Sequence, residues 1–152
     1  KNDPSHMWRA MPTARVNGSQ CPECIETGKS RIEIEYYSAA LARWGNAKSG
    51  SRIHSTKFQT RSSWTVDICV DLPSGKRLAI EYDGSYWHRN KTDIDRVKSL
   101  DLLADGFILV RLREASLPSL QIASPNYHEI TVYPAAQDPV HDVAVIEEAI
   151  TS

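Results

Sequence analysis

Between Thr65 and Leu72 the chain alternates strictly, with Val66, Ile68, Val70 and Leu72 set between Thr65, Asp67, Cys69 and Asp71. A period of two over this length predicts a half-buried β-strand. Pro73, Ser74 and Gly75 predict a turn, with Gly75 suited to the left-handed position of a three-residue hairpin loop. The returning strand is predicted from Lys76 to Asp83, with Leu78, Ile80 and Tyr82 on one face and Ala79, Glu81 and Asp83 on the other. Helical patterns flank this hairpin. Residues 31–44 predict a helix capped by Ser30, with Ile34, Ala40, Leu41 and Trp44 inward. Residues 92–105 predict another, with Thr92 as cap, Ile94, Val97, Leu100, Leu103 and Ala104 as its apolar stripe and Gly106 as its stop. Phe107 to Leu112 is apolar on both faces at its start, as in a central strand covered by helices. Strand, helix and strand in this order suggest a crossover unit. A Ser- and Pro-rich loop over 115–127, a strand over 129–133 and a last helix complete the chain. That helix has Asp138 as cap, Pro139 in its first turn, and Val143, Ile146 and Ile150 inward. Together these elements predict an α/β domain, a mixed central sheet flanked by helices.

The hairpin also carries the candidate chemistry. If Leu72 pairs with Lys76, Asp67 falls directly across from Glu81, at roughly 5 Å between Cβ atoms. Two carboxylates that close repel unless a cation lies between them. Mg²⁺, or Mn²⁺, suits such oxygen ligands. The competing reading is an open strand whose acids face water. Gly84 to His88 follow without a second tight turn, so the strand end is expected to deliver Tyr86, Trp87 and His88 in a loop at the sheet edge. There His88 suits acid–base work or a contact to metal-bound water. Trp87 fits base stacking and core packing equally well. Glu33 and Glu35 point to different faces of the first helix, and Glu35 is the one expected inward. Asp95 reads either as a helix-capping acid or as a partner that orients water or His88.

The segments AIEYDGSYWH and DIDRVKSLDLLADGFILVRLRE, in this order and spacing, resemble the PD-(D/E)XK nuclease superfamily. Within it the similarity is to the very-short-patch-repair endonuclease and its homing-endonuclease relatives, over residues 32–114. The resemblance implies a restriction-endonuclease-like core and Mg²⁺-dependent cleavage of double-stranded DNA. It places Asp67 at the metal-binding aspartate, and Glu81 and Asp83 at the E-x-K positions, all three as metal ligands. Trp87 and His88 match a W-H pair whose histidine is functional. Glu35 matches a glutamate on the first helix, and Asp95 the acid that opens the helix after the histidine. Asp83 stands where many members have lysine, which leaves His88 to replace that lysine. The same departure keeps a second reading open, a catalytically inactive DNA-binding module with a nuclease fold. A third is a protein-interaction domain whose carboxylates are merely solvated.

Composition bounds these readings. The chain has 152 residues, enough for one well-packed domain, and a net charge of −1, so it is no generic polycation. A nucleic-acid partner needs a local basic patch instead. Lys48, Arg52, Lys57 and Arg61 lie in a run without acids that leads into the Asp67 strand. This run is expected as a loop that neutralises backbone phosphates, its alternative being solvated surface. Arg89, Lys91, Arg111 and Arg113 extend the patch. No run is long enough to span a membrane, and no signal peptide is visible. With only 3 cysteines and no disulfide framework, a cytoplasmic protein of bacterial or phage origin is expected. Residues 1–7, KNDPSHM, read as a cloning scar. Within 8–29, Cys21 and Cys24 form C-P-E-C, similar to one knuckle of a zinc ribbon. Zn²⁺ needs four ligands, so the partner knuckle is expected upstream of Trp8. The alternatives are completion by His54 or His6, or a dithiol or disulfide. Residues 30–152 form the nuclease-like domain.

Overall fold

The hairpin forms in the predicted register and becomes the middle of a larger sheet. The computed structural model describes residues 31–151, and from Tyr36 onward the chain forms one compact unit. Residues 1–7 and the Cys21–Cys24 knuckle lie outside the described residues. Helix α1 (Arg31–Trp44) leads to strands β1 (Lys48–His54), β2 (Ser63–Asp71) and β3 (Arg77–Asp83). A single helical turn, α2 (Ser85–His88), and helix α3 (Thr92–Ala104) lead to β4 (Ile108–Glu114) and β5 (Tyr127–Val132). A 3-10 turn (Pro134–Ala136) and helix α4 (Pro139–Thr151) end the described chain. The sheet has five strands in the order β1-β2-β3-β4-β5. The β1–β2 and β2–β3 pairs are antiparallel, and β3–β4 and β4–β5 are parallel. The fold is therefore mixed α/β, as expected, with α3 as the crossover between β3 and β4. Among the described residues no helix is long and apolar enough to cross a membrane.

Ile68 stands opposite Ile80 and Asp71 opposite Arg77. The Leu72 N–H donates to the Lys76 carbonyl at 2.9 Å, and Gly75 takes φ +92°, the backbone a three-residue loop needs here. β2 keeps its predicted alternation, with Trp64, Val66, Ile68 and Val70 buried. β3 does not: it is buried from Leu78 through Asp83. The hairpin was expected to be half open, but β4 pairs along the edge of its second strand, while Tyr36 of α1 packs on Tyr82 and Lys98 of α3 reaches Glu81. The turn after Asp83, expected as loop, closes into α2 because the His88 N–H reaches the Gly84 carbonyl at 3.0 Å.

Two further expectations are corrected. The start of the basic run is an edge strand rather than a loop, with Lys48 opposite Cys69 and His54 opposite Ser63. Its Gly and Ser residues favour a loop, but the open edge of β2 offers a full ladder, and pairing overrides that weak local preference. In α1 the buried residues are Tyr36 and Ala40, while Leu41 is exposed. Glu35 is exposed as well and pairs with Arg31 at 3.5 Å, so it does not take the inward position expected of it.

Helix α3 departs furthest from its sequence pattern. It starts at Thr92, with Lys91 rather than Thr92 at the cap. Its buried residues are Asp95, Ser99, Asp101 and Leu102, while Ile94 and Leu100 are exposed. The apolar stripe is inward only in part: Val97 and Leu103 pack against the core, but Ile94 and Leu100 do not, because the layer beneath α3 is not wholly apolar. That layer holds Glu81, Asp83, Arg111 and Arg113, all buried. A hydrophobic cluster that includes Trp64, Ala79, Leu102, Phe107 and Leu109 adjoins it. α4 behaves as predicted, with Val143 and Ile146 buried and the Asp138 carboxylate accepting the His141 N–H at 3.2 Å.

Candidate active site

Backbone pairing between β2 and β3 gives way to side-chain bonds where the two acids meet. Extending the Ile68–Ile80 register puts Asp67 across from Glu81. Glu81 Oε2 accepts the Asp67 N–H at 2.8 Å, and Asp67 Oδ2 accepts the Tyr82 N–H at 3.0 Å. Each carboxylate thus replaces a ladder bond of the opposite strand. Lys98, from α3, donates to Glu81 Oε1 and to the Thr65 carbonyl, both at 2.6 Å. Glu81 is buried and Asp67 half-buried.

One pleat further along β3, Asp83 is fully buried between two arginines of β4. Arg111 Nη1 donates to Asp83 Oδ1 at 2.7 Å, and Arg113 Nη1 to Asp83 Oδ2 at 2.8 Å. Arg111 continues to the Ser99 hydroxyl at 2.7 Å and the Asp95 carbonyl at 3.2 Å. Both arginines were expected as surface extensions of the basic patch. Both are buried instead, Arg111 within the predicted strand and Arg113 in the two residues by which β4 runs beyond its predicted end.

His88 stands beside this ion cluster, with Nδ1 2.8 Å from Asp95 Oδ2 and 3.7 Å from Asp83 Oδ1. Burial raises the Asp95 pKa, but the His88 hydrogen bond and the charges of Arg111, His88 and Arg113 outweigh it and hold the group below its ordinary value. An ionised carboxylate only accepts, so Nδ1 is the donor and Nε2 is left to exchange a proton. Asp95 is therefore more than a capping acid: it orients the imidazole. The turn that carries His88 is fixed from below by Glu114. This residue accepts the Ser85 N–H at 2.8 Å and the Tyr82 hydroxyl at 2.7 Å. Tyr86 and Trp87, on the same turn, are 65 % and 69 % exposed and meet edge to face. The core alternative for Trp87 is thereby removed.

A pH dependence follows from Asp95. Its carboxyl titrates at 3.8 ordinarily and lower in the folded protein, so the unfolded chain takes up the proton first. The stabilisation is complete above that value and is lost as pH falls through the lower, folded one. Urea midpoints measured from neutral pH downward should drop below about pH 4, and Asp95→Asn should flatten the drop. An unchanged slope in the variant would place the acid sensitivity elsewhere.

The sequence reading named Asp67, Glu81, Asp83, His88 and Asp95, and these lie on adjoining strand ends and the two elements that follow. It missed Lys98 and Glu114, and it gave Arg111 and Arg113 a surface role in place of their buried one. Lys98 lies one turn beyond Asp95 on the same helix face, a visible spacing. The R-x-R alternation in an otherwise apolar strand was also a sign, since buried charges need partners on the neighbouring strand. Lys48, Arg52, Lys57 and Arg61 are all exposed.

Asp67 and Glu81 face each other, but Glu81 Oε1 binds the Lys98 ammonium and Oε2 the Asp67 N–H, so a divalent cation there would have to displace Lys98. Asp83 is no freer, because both its oxygens bind guanidinium groups. Asp83, His88 and Asp95 do bring ligand atoms within 4.8 Å of one another. Yet Arg113 also lies 3.5 Å from Asp95, and its Nη2 is buried without a partner. A cluster with a donor to spare calls for an acceptor, not a cation. Comparison with known proteins found no family model, no curated protein and no solved structure that matches this chain.

Proposed function

We propose that this domain hydrolyses phosphodiester bonds of double-stranded DNA with Mg²⁺ or Mn²⁺, as a PD-(D/E)XK-type nuclease similar to the very-short-patch-repair branch. The observation that carries this reading is an imidazole oriented by a buried carboxylate and 3.7 Å from Asp83, on the same strand that opposes Glu81 to Asp67. Asp67 and Glu81 would hold the metal, with Asp83 reassigned to fixing the two arginines. When bound, the metal polarises the phosphoryl oxygen and lowers the pKa of a water. His88 moves a proton at Nε2, and Asp95 keeps its ring in place. Lys98 supplies an ammonium beside Glu81, where the lysine absent from the E-x-D sequence would otherwise act. His88 is then free for proton transfer instead of serving as that lysine's substitute. Exposed Tyr86 and Trp87 offer faces for stacking against bases.

One observation favours a second reading, DNA binding without cleavage. Lys98 already neutralises Glu81 at 2.6 Å, so the acids are stable with no metal. Supercoiled plasmid incubated with Mg²⁺, Mn²⁺ or EDTA separates the two. Nicked or linear product with either metal and none with EDTA is expected. Intact plasmid in all three, with the DNA still retarded in a gel, selects the binding module.

A further inference from the structure

The basic loop between β1 and β2 is held more firmly than its composition implies. Its ends meet where the Ser55 N–H donates to the Ser62 carbonyl at 3.2 Å. The Ser55 hydroxyl donates to Asp105 at 2.7 Å, and the Gln59 N–H to Asp101 Oδ1 at 3.0 Å. Asp101, itself 2 % exposed, uses its other oxygen to accept the Trp64 indole N–H at 2.8 Å. One buried carboxylate therefore fixes both the loop backbone and the indole. The exposed Arg61 guanidinium lies over that indole, 3.9 Å from the ring centroid. Among the described residues no carboxylate pairs with Arg61, although its loop is packed against a helix rich in aspartate.

We infer that this loop is a phosphate-binding site with Arg61 as its anchor, positioned by Trp64 and Asp101. A guanidinium stacked on an aromatic face keeps its in-plane N–H fork directed away from the ring, and that fork matches two phosphate oxygens. The stack restrains a long side chain before any ligand arrives, so less freedom is lost on binding. The shallow depression beside it is lined by Phe58 and by His54, Thr56, Thr60 and Ser62, residue types that can donate to oxygen anions. Lys98 lies 6.0 Å from the same Trp64 centroid and touches Glu81. The anchor and the candidate catalytic acids are thus neighbours across one indole. This site differs in kind from Lys48, Arg52 and Lys57, which are exposed charges without such a platform. Its ligand is a phosphate group, and for a nucleic-acid strand it is one next to the phosphate under attack. That last assignment rests on the nuclease reading above.

Titrating inorganic phosphate while following the Trp64 indole and Arg61 Nε–H resonances by NMR tests the site without any cleavage. Shifts confined to these groups and the loop amides are expected. Labelled duplex DNA, measured by anisotropy across a salt series, tests it with a strand. Arg61→Ala should weaken binding about tenfold and reduce the salt slope by about one, with Arg61→Lys losing most of the same affinity. Lys57→Ala, which removes an equal charge from the same loop, should cost less than about threefold. Equal losses for Arg61→Ala and Lys57→Ala, or a fully active Arg61→Lys, would overturn the inference. Arg61 is exposed, so its variants should remain folded, which circular dichroism checks. If phosphate shifts the loop but the native protein cleaves no plasmid, the nuclease reading falls and the site stands. If plasmid is cleaved while phosphate leaves the loop unmoved, the reading stands and the site falls.

Discussion

Replacing Asp67 or Glu81 with alanine is expected to lower plasmid cleavage about a thousandfold or more while duplex binding stays within a fewfold of the native protein. Several kcal/mol of transition-state stabilisation by a bound metal corresponds to that loss. The two substitutions differ in what else they disturb. Asp67 is half-buried, and its removal leaves the Tyr82 N–H without its 3.0 Å acceptor. Glu81 is buried, and its removal also leaves Lys98 without its counter-charge, hydrogen-bonded only to the Thr65 carbonyl. Glu81→Ala should therefore lose more stability than Asp67→Ala. Glu81→Gln keeps the shape and the Asp67 N–H bond while removing the charge, so it separates lost chemistry from lost packing. Cleavage rates and thermal melts of all three variants decide the matter. A folded variant that cleaves at the native rate would remove Asp67 and Glu81 from the metal site.

The largest loss of stability is expected from Arg111. It is the largest of the fully buried side chains, and it bonds Asp83, Ser99 and the Asp95 carbonyl. Burial disfavours its charge, but Asp83, Glu81 and Asp95 more than compensate, so its pKa is raised and it stays a cation. Arg111→Met removes one of the two cations that compensate Asp83, inside the sheet. Breaking such a pair typically costs about 3–5 kcal/mol. The double variant Asp83→Leu/Arg111→Met should recover only part of that, because Arg113 stays buried and then keeps only Asp95, at 3.5 Å, as a carboxylate partner. Urea unfolding of the wild type, both single variants and the double variant closes the cycle. A single-variant loss under about 1 kcal/mol would mean that Arg113 alone satisfies Asp83.

What the sequence revealed and what it concealed have separate physical origins. Register in β2 and β3 was legible because alternation and a Gly-closed turn both specify it, and a slip of one residue would turn every side chain over. Asp67 opposite Glu81 follows directly from that register. β1 was not legible, since nothing in KSGSRIH competes with a loop until the edge of β2 is present to pair with it. The face of α3 was legible at Val97 and Leu103 and misread at Ile94 and Leu100, for a deeper reason. Assigning the apolar stripe to the interior assumes an apolar neighbour, and here the neighbour is a row of buried charges. Ile94 and Leu100 were left outside so that Asp95 and Ser99 could meet His88 and Arg111. Glu114 gave no sign at all. An acid at a strand end has many roles, and its capping of α2 depends on a turn that the sequence did not show.

Helix α3 sets its contacts in a fixed order. Asp95 holds His88, Lys98 reaches Glu81, Ser99 meets Arg111, Asp101 secures Trp64, and Asp105 binds both Ser55 and Arg77. From Asp95 to Asp105 a helix rises about 15 Å. α3 is therefore a ruler, marked at one end by His88 and at the other by the β1–β2 loop. Adding or deleting one residue within it turns every later mark by about 100°. Such a change detaches the loop and the His88 cluster from each other rather than adjusting their spacing. Changes of length are then better tolerated in the segments that hang from the ruler, because its graduations cannot be moved one at a time.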